Sequence, residues 1–392
     1  MKYFDAAATT PVRREVLEAM WPYLTGDFGN PSSRHTVGES AARGLARARA
    51  QVAEWLGCRP GEVVFTGGGT EGDNLAIKGL ALANPRGRHL VTTRIEHEAV
   101  LESVDYLRRF LGFEVTFVEL DGEGTVHPAA LASALRDDTT LVSIAHANNE
   151  IGTVQPLAAL TAVAVGRGVP FHTDAVQSAG WLDVRVPTLG VQALTISGHK
   201  LGAPKGIGAL YVAGRLPLEP VLHGGGQERG RRSGTENVAG AVGLGAAVAL
   251  LGGAGAGGAG AGASGAGASA IAPVGLRDAF IADVEARVGD ARLTGSRTSR
   301  LPASASFVFP GTSGESVLLE LERRGIVSSS GSACAAGSDE PSHVLTALGM
   351  APDLAQTSVR FSWGADVTGE DLAGVASAIQ ASVHAVRGIV GA

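Results

Sequence analysis

An aspartate and a lysine each follow a run of largely apolar residues that predicts a β-strand. Asp174 comes directly after residues 169–173, and Lys200 comes shortly after residues 193–196. Ligands bind open α/β sheets outside the carboxyl ends of the strands, so we expect both side chains to line one ligand site. A lysine there can form a Schiff base, and an aspartate can hold a protonated ring nitrogen. A pyridoxal phosphate enzyme needs this pair.

The small number of lysines narrows the choice of the reactive amine. The chain has four, Lys2, Lys78, Lys200 and Lys205. Lys205 lies in a predicted turn, Lys78 lies inside a predicted helix, and Lys2 is next to the first residue. Lys200 is therefore the predicted Schiff-base lysine.

Other polar residues follow neighbouring predicted strands. Residues 67–70, Gly-Gly-Gly-Thr, connect a strand to a helix, and backbone amide groups at a helix start suit a phosphate, although such turns are as often purely structural. His97 could stack on a planar cofactor and transfer protons near neutral pH, or it could be a surface histidine at a helix start. Asn148 and Asn149 could hold a carboxylate or a ring oxygen, or they could form a turn, which asparagine favours.

Three hydroxyl or imidazole side chains are further candidates for binding a phosphate or a ring. Ser197 and His199 come just before Lys200 in the chain. Thr235 follows a cluster of arginines at 229–232 and could cap a helix or donate to a phosphate, while the arginines could be a solvated cluster. An isolated aspartate after a strand is usually a helix cap, but the position of Asp174 relative to Lys200 favours a functional role.

The two cysteines lie in different surroundings. Cys334 lies in a run of small residues at 328–338, which is typical of a mobile thiol that can travel to a substrate. Cys58 lies at a predicted helix end and fits an ordinary structural role, because buried cysteines normally have apolar neighbours. Arg360, within a strand-like run, could grip a carboxylate with two hydrogen bonds or form an edge-strand ion pair.

Composition limits the classes of function. The net charge of −6 and the pI near 5.9 provide no basic surface for nucleic acid. No signal peptide is apparent, and the apolar stretch at 238–251 is too short to cross a bilayer. Two cysteines in 392 residues do not make a disulfide framework. We therefore expect a cytoplasmic protein with reduced thiols and no membrane segment, and the motifs predict no metal site.

The order of predicted helices and strands indicates an α/β fold in two parts. Helices alternate with seven strand-like runs between residues 14 and 251, which favours a large domain with a mostly parallel seven-stranded sheet. The last two runs are close enough to form a hairpin, so one strand can be antiparallel. Residues 252–270 are nearly pure Gly, Ala and Ser, and predict a linker or insertion. Residues 1–13 and 271–392 predict a smaller α/β domain that carries Cys334.

Taken together, the motifs resemble the cysteine desulfurases, the NifS/IscS-like branch of the class V aminotransferase group with fold type I. Ten segments match in order along the chain, and their joint occurrence is far more specific than any one of them. The matching segments are residues 5–11, 29–31, 69–74, 96–97, 148–152, 174–177, 197–200, 232–235, 330–334 and 360–362.

The resemblance implies a role for each matching polar residue. Lys200 would hold pyridoxal 5'-phosphate as an imine, Asp174 would bind its pyridinium nitrogen, Gln177 its ring hydroxyl, and His97 would stack on the ring. The phosphate would lie against Gly69, Thr70, Ser197 and His199. Thr235 would reach the phosphate of the neighbouring subunit, which implies a homodimer. Asn149, Arg360 and Asn30 would bind the substrate.

The implied reaction converts L-cysteine to L-alanine. Lys200 would take the Cα proton, and the thiolate of Cys334 would attack the substrate sulfur and become a persulfide. His97 could accept the thiol proton. The sulfur would pass to an acceptor protein, in iron–sulfur cluster assembly, tRNA thiolation, DNA phosphorothioation or thio-cofactor synthesis. The alternatives are a selenocysteine lyase or another pyridoxal-phosphate enzyme related to aminotransferases, and a non-catalytic sulfur carrier with the same fold.

Overall fold

A computed structural model describes residues 1–83, 86–252, 271–330 and 340–390. The strands in chain order are β1 (Lys2–Tyr3), β2 (Val63–Thr66), β3 (His89–Thr92), β4 (Glu114–Phe117), β5 (Thr139–Ser143), β6 (Phe171–Asp174), β7 (Ala193–Ser197), β8 (Gly208–Val212), β9 (Arg292–Leu293), β10 (Ser304–Val308), β11 (Ile326–Val327) and β12 (Ser358–Ser362).

The α-helices fill the intervals between the strands. In chain order they are α1 (Arg14–Thr25), α2 (Thr36–Leu56), α3 (Gly69–Ala83), α4 (Glu98–Leu111), α5 (Pro128–Ala134), α6 (Leu157–Gly166), α7 (Val186–Leu189), α8 (Val238–Gly252), α9 (Ile271–Arg287), α10 (Gly314–Arg323), α11 (His343–Ala347), α12 (Pro352–Ala355) and α13 (Gly369–Val390). Gly57 and Gly112 end α2 and α4 in the left-handed conformation, with φ of +68° and +67°, which glycine adopts without a steric penalty.

Seven strands form the central sheet in the described part of the chain, in the order β2-β8-β7-β6-β5-β3-β4. Strand β8 runs antiparallel to both of its neighbours, and the other pairings are parallel. The carboxyl ends of β2, β3, β5, β6 and β7 therefore meet at one edge of the sheet. The loops that follow these strands are the ones that must build a site.

The strands are buried on both faces because helices cover each face. Val63 and Phe65 point to one face, where α1, α2, α6 and α8 share an apolar core. Val64 points to the other face, where α3 and α4 pack. This burial explains why the strand sequences are continuous apolar runs rather than alternating ones.

A second core lies in the C-terminal part of the chain. Strands β12, β10 and β9 form an antiparallel sheet, which packs against α9, α10 and α13. Phe280 makes edge-to-face contacts with Phe307, Phe361 and Trp363 at centroid distances of 6.2, 5.9 and 5.5 Å, a geometry that aromatic rings favour. The first residues of the chain join this core, since β1 pairs with β11 and Phe4 is buried there.

The structure confirms the expected fold class and the expected strands. Each of the seven predicted runs overlaps a strand of the central sheet, with ends that differ by at most two residues, and the predicted hairpin is β7-β8. The division into domains at the stated residues stays a prediction. The Gly/Ala tract at 253–270 lies outside the described residues. Among the helices that the structure describes, none has the length and apolarity that crossing a bilayer requires.

Candidate active site

The carboxyl edge of the central sheet brings Asp174 and Lys200 together. Asp174 is the last residue of β6, and β7, which pairs with β6, ends at Ser197. A single 3₁₀ turn, Gly198–Lys200, follows β7 and carries the lysine. Two adjacent parallel strands thus place a carboxylate and an amine side by side, as the sequence predicted.

Lys200 is held by backbone carbonyl groups from the beginning of the chain. Its Nζ donates hydrogen bonds to the carbonyl oxygens of Ala7 and Ala8, the latter at 2.9 Å. The other lysines lie elsewhere. Lys205 is exposed, and the Nζ atoms of Lys78 and Lys2 bind Asn74 Oδ1 and Asp371 Oδ1 at 2.6 and 2.7 Å. Lys200 is thus the lysine that lies beside Asp174.

Asp174 is a buried carboxyl group that faces two basic side chains. Its Oδ1 accepts the N–H of Val176 at 2.8 Å. Burial raises the pKa of Asp174, and the charges of His97 and Lys200 oppose that rise. A carboxylate in this position is well placed to bind a protonated ring nitrogen, because a cationic partner would offset its desolvation.

Two further buried acids lie near Asp174, and sequence reasoning missed them as functional candidates. Glu96 accepts hydrogen bonds from Thr93 Oγ1 at 2.7 Å and from the N–H of Ala145 at 2.9 Å. Burial raises the pKa of Glu96 to about 8, and Asp174 adds to the rise. Burial, followed by the charge of Asp174, raises the pKa of Asp73 well above its ordinary value. The signal that could have identified both acids is their position inside the matching segments 69–74 and 96–97.

His97 caps helix α4 and is thereby held in one tautomer. Its Nδ1 accepts the N–H of Ala99 at 3.0 Å. A ring nitrogen that accepts a hydrogen bond carries no proton, so in the neutral ring the proton lies on Nε2. The sequence left open a surface histidine at a helix start. The residue is at a helix start, and it is also close enough to Asp174 to influence that carboxyl group electrostatically.

A narrow cradle lies where β2 turns into α3. A Cβ atom on Gly69 would lie 2.9 Å from Val176 Cγ2 and 3.5 Å from Ser197 Cβ, so only glycine fits without displacement. The first N–H groups of α3 have no acceptor within the helix, which is what a phosphate site requires. Ser197 is buried beside this turn, and Thr70 is exposed on it.

The remaining predicted cofactor residues have polar partners of their own. Gln177 Nε2 donates to the carbonyl of Ala7 at 3.0 Å, and His199 Nδ1 lies 3.1 Å from Thr9 Oγ1. Burial, with the charges of Lys200 and Lys205, lowers the pKa of His199 to about 4. His199 is therefore neutral at pH 7 and would act on a phosphate as a hydrogen-bond donor rather than as a cation.

Two predicted residues lie on exposed loops. Thr235 is exposed in the loop before α8, and that loop is held to the start of α3 because Arg232 Nε binds Glu71 Oε1 at 2.8 Å. Asn30 is exposed after α1, and its Oδ1 accepts the N–H of Ser32 at 2.9 Å. These two residues present their side chains to the protein surface rather than to the Lys200 amine.

Arg360 makes a buried ion pair, and its guanidinium group still has hydrogen-bond donors without a partner among the described residues. Its Nη2 binds Asp5 Oδ1 at 2.8 Å, and its Nη1 donates to the carbonyl of Asn149 at 2.9 Å. Its Nε is buried and has no hydrogen-bond partner among the described residues. The ion pair that the sequence left open is thus present, and N–H donors of the guanidinium, including that of Nε, stay available for a carboxylate ligand.

Cys334 lies outside the described residues, but the residues on both sides of its segment contact the site. On one side, Ser329 exchanges two backbone hydrogen bonds with Arg360, of 3.3 and 2.7 Å. On the other side, Ser342 Oγ donates to the buried carboxylate of Glu150, and His343 Nε2 lies 3.1 Å from the carbonyl oxygen of Glu96.

The other cysteine lies away from this edge and is a poor nucleophile. Cys58 follows the end of α2 and is half-buried. Burial raises the pKa of Cys58 to about 12, and the charge of Glu62 adds to the rise. The thiol therefore stays protonated at neutral pH, which makes it a poor nucleophile.

Comparisons with known proteins cover nearly the whole chain. A family model described as aminotransferase class-V matches residues 2–375. A protein named cysteine desulfurase IscS from Dictyoglomus turgidum is 46% identical over 371 residues, which cover 94% of this chain and 91% of that protein. Among solved structures, a NifS-like protein has a TM-score of 0.85 at 33% identity and covers 97% of this chain and 98% of its own. SspA in complex with cysteine has a TM-score of 0.78 at 38% identity and covers 92% and 98%.

Proposed function

We propose, from the premise that the chain belongs to the aminotransferase class-V family, that it is a cysteine desulfurase. It converts L-cysteine to L-alanine and transfers the sulfur to Cys334. One observation supports this proposal independently of the family. The described residues that flank Cys334 bind Arg360 on one side, through Ser329, and Glu150 and Glu96 on the other, through Ser342 and His343. The described residues on both sides of Cys334 thus lie at the edge of the sheet that holds Lys200.

Enzymes of this family depend on pyridoxal 5'-phosphate, and the residues at the sheet edge fit that cofactor. The cradle at Gly69 and Ser197 suits the phosphate, and the buried carboxyl group of Asp174 suits the ring nitrogen. Lys200 would attach the aldehyde carbon, while His97 would lie against the ring and Gln177 at its hydroxyl. When bound, the cofactor supplies an aldehyde for covalent attachment of amines and a protonated ring that accepts electrons from Cα.

The residues of this chain then position cysteine and move its protons. Arg360 binds the carboxylate of the amino acid through the donors that its contacts with Asp5 and Asn149 leave over, with Asn149 beside it. The Nζ atom of Lys200 accepts the proton from Cα of the substrate and later returns a proton to the product. Asn30, on the exposed loop after α1, is the remaining residue that the resemblance assigns to the substrate.

The sulfur transfer balances without another oxidant or reductant. The thiolate of Cys334 attacks the sulfur atom of cysteine, an S–S bond forms, and the Cβ–S bond of the substrate breaks. The electron pair of that bond stays with carbon, which takes up a proton, so the products are L-alanine and a persulfide on Cys334. An acceptor protein then removes the outer sulfur. Reaction at a thiolate requires a reduced cysteine, which a cytoplasmic location maintains.

A pair of cysteine variants tests the proposal. Cys334→Ser should retain the visible absorbance of the bound cofactor and lose persulfide formation, measured by mass spectrometry of the intact chain after addition of L-cysteine. Cys58→Ser is the matched control and should form the persulfide at the wild-type rate, because the Cys58 thiol is protonated and lies away from the site. Undiminished sulfide release by Cys334→Ser would overturn the assignment.

The chain is proposed to act as a homodimer. Leu17, Trp21 and Leu24 recur at helical spacing on α1 and are exposed by 53, 66 and 60%, with Phe28 exposed by 70% just beyond them. A second copy would cover this apolar face, and the exposed Thr235 loop would reach the neighbouring phosphate cradle. Trp21→Glu should shift the sedimentation of the protein toward the monomer, while Leu319→Glu, at an exposed leucine of α10, should not. A wild-type monomer would contradict the proposal.

A further inference from the structure

The segment of residues 5–10 joins the two cores of the molecule directly over Lys200. We name it the N-terminal segment. On one side, the N–H groups of Ala6 and Ala7 donate to the carbonyl and to Oγ of Ser362, at 3.1 and 2.8 Å. On the other side, the N–H and Oγ1 of Thr10 both bind the carbonyl of His199, at 2.9 and 2.8 Å. The segment is thus fixed at both ends to residues that flank the site.

The middle of the N-terminal segment presents two carbonyl oxygens to one amine. Nζ of Lys200 donates to the carbonyls of Ala7 and Ala8, and Gln177 Nε2 binds the first of these carbonyls as well. A lysine ammonium has three donors and no acceptor, so carbonyl oxygens bind its protonated form. Hydrogen bonds in which the donor is charged are roughly twice as strong as neutral ones.

We propose that the carbonyl groups of Ala7 and Ala8 are the site that holds the Lys200 ammonium whenever Nζ is not bound to the cofactor. The inference rests on the proposed function, in which the substrate displaces Lys200 and the freed amine takes a proton from Cα. The two carbonyls then keep that proton on Nζ, within reach of the product. They are positioning groups, and Ser362 positions them through the N–H of Ala7.

The charged groups around Lys200 either favour its protonated form, as the two carbonyl groups do, or are too weak to oppose that preference. Asp174 faces Nζ from β6 and favours the ammonium. His199, which precedes Lys200, is neutral at pH 7 because its pKa lies at about 4. Lys205, which is exposed, is close enough to influence His199 but is surrounded by solvent. The carbonyl pair and Asp174 therefore both favour the protonated form of Nζ.

The test is competitive acetylation of the full chain without cofactor. Only the neutral form of an amine is acetylated, so the extent of acetylation reports how strongly each lysine holds its proton. Since the chain has four lysines, a peptide map resolves each of them, and Lys205 serves as the internal reference. Ser362→Ala removes the hydrogen bond to the N–H of Ala7. The ratio of acetylated Lys200 to acetylated Lys205 at about pH 8 should rise about fivefold, because one anchor of the carbonyl pair is lost. At about pH 11, where lysines are largely neutral, the rise should vanish.

One control and a second test variant keep the result interpretable. Ser377→Ala removes an exposed hydroxyl of α13 that donates to the carbonyl of Ala373, and it should leave the ratio unchanged. Tyr3→Phe removes the hydrogen bond from the hydroxyl to the carbonyl of Thr9, at 3.0 Å, and should raise the ratio even if Ser362→Ala does not fold. An unchanged ratio in both Ser362→Ala and Tyr3→Phe, or an equal rise at both pH values, overturns the proposal. The assay needs no cysteine, so failure of the proposed function would leave these readings unaffected.

Discussion

The proposed cofactor half and the proposed substrate half of the site are built in opposite ways. The cofactor half consists of adjacent strand ends and the turns that follow them, with Asp174, Ser197 and Lys200 close together in the chain. The substrate half is assembled from three distant segments, because Arg360 of β12 binds Asp5 and the carbonyl of Asn149. The first half is rich in buried carboxyl groups, and the second half is organised around one buried cation.

This difference teaches how each half should respond to mutation. Within one sheet edge, the backbone hydrogen bonds of β6 and β7 keep the positions of the cofactor residues, so a side chain can be removed without moving its neighbours. In the substrate half, Arg360 itself connects three segments, so its removal changes both a binding group and a structural contact. The variants below are ordered from the largest expected effect to the smallest.

Lys200→Ala should abolish the function of the cofactor half. Covalent attachment of the cofactor and proton transfer at Cα both require this amine, so alanine formation should fall by about 10³-fold or more. The absorbance band of the attached cofactor should disappear as well. Lys205→Ala, at an exposed lysine five positions on, should retain both properties. An unchanged spectrum in Lys200→Ala would transfer the role to another lysine.

Arg360→Gln should damage the substrate half and spare the cofactor. Loss of charge-assisted hydrogen bonds to the carboxylate should raise KM for L-cysteine about 10- to 100-fold, with a smaller change in kcat. The cofactor spectrum should match that of wild type. Arg14→Gln, in an exposed pair with Glu18, is the control and should leave KM unchanged. If KM stays constant in Arg360→Gln, the buried cation serves only its ion pair with Asp5.

Gly69→Ala should sharpen the assignment of the phosphate cradle. The added Cβ would lie 2.9 Å from Val176 Cγ2, so the start of α3 or the Val176 side chain must shift. Cofactor affinity should fall about tenfold, as measured by fluorescence titration of the apoprotein, since a displaced helix start binds a phosphate less well. Gly61→Ala, where nothing lies within 4 Å of the new atom, should bind normally.

Glu96→Gln should change the pH dependence of stability rather than the reaction. Burial raises the pKa of Glu96 from 4.5 to about 8, so the folded state keeps this carboxyl group protonated where the unfolded chain ionises it. Its contribution to stability is complete below pH 4.5, declines as the pH rises toward 8, and is constant above that value. Glutamine does not ionise, so the variant should match wild type at pH 4.5 and exceed it by about 4 kcal/mol at pH 9 in urea unfolding.

Most of the cofactor half was predictable from the sequence for a physical reason. A strand that is buried on both faces is a continuous apolar run, and the polar residue that ends it must lie at the sheet edge. Asp174, Lys200 and the glycine turn at 67–69 followed from that pattern. The resemblance to desulfurases added the roles of Gln177, Thr235 and Asn30, which local patterns leave open.

Only the tertiary structure decided which distant groups meet these residues. No local pattern indicates that the carbonyls of Ala7 and Ala8 bind Lys200, or that Asp5 binds Arg360. Every residue has a backbone carbonyl, and both pairings depend on how the two cores pack. Burial is also a property of the folded chain, so the raised pKa of Glu96 and the lowered pKa of His199 appear only once neighbouring elements exclude water from them.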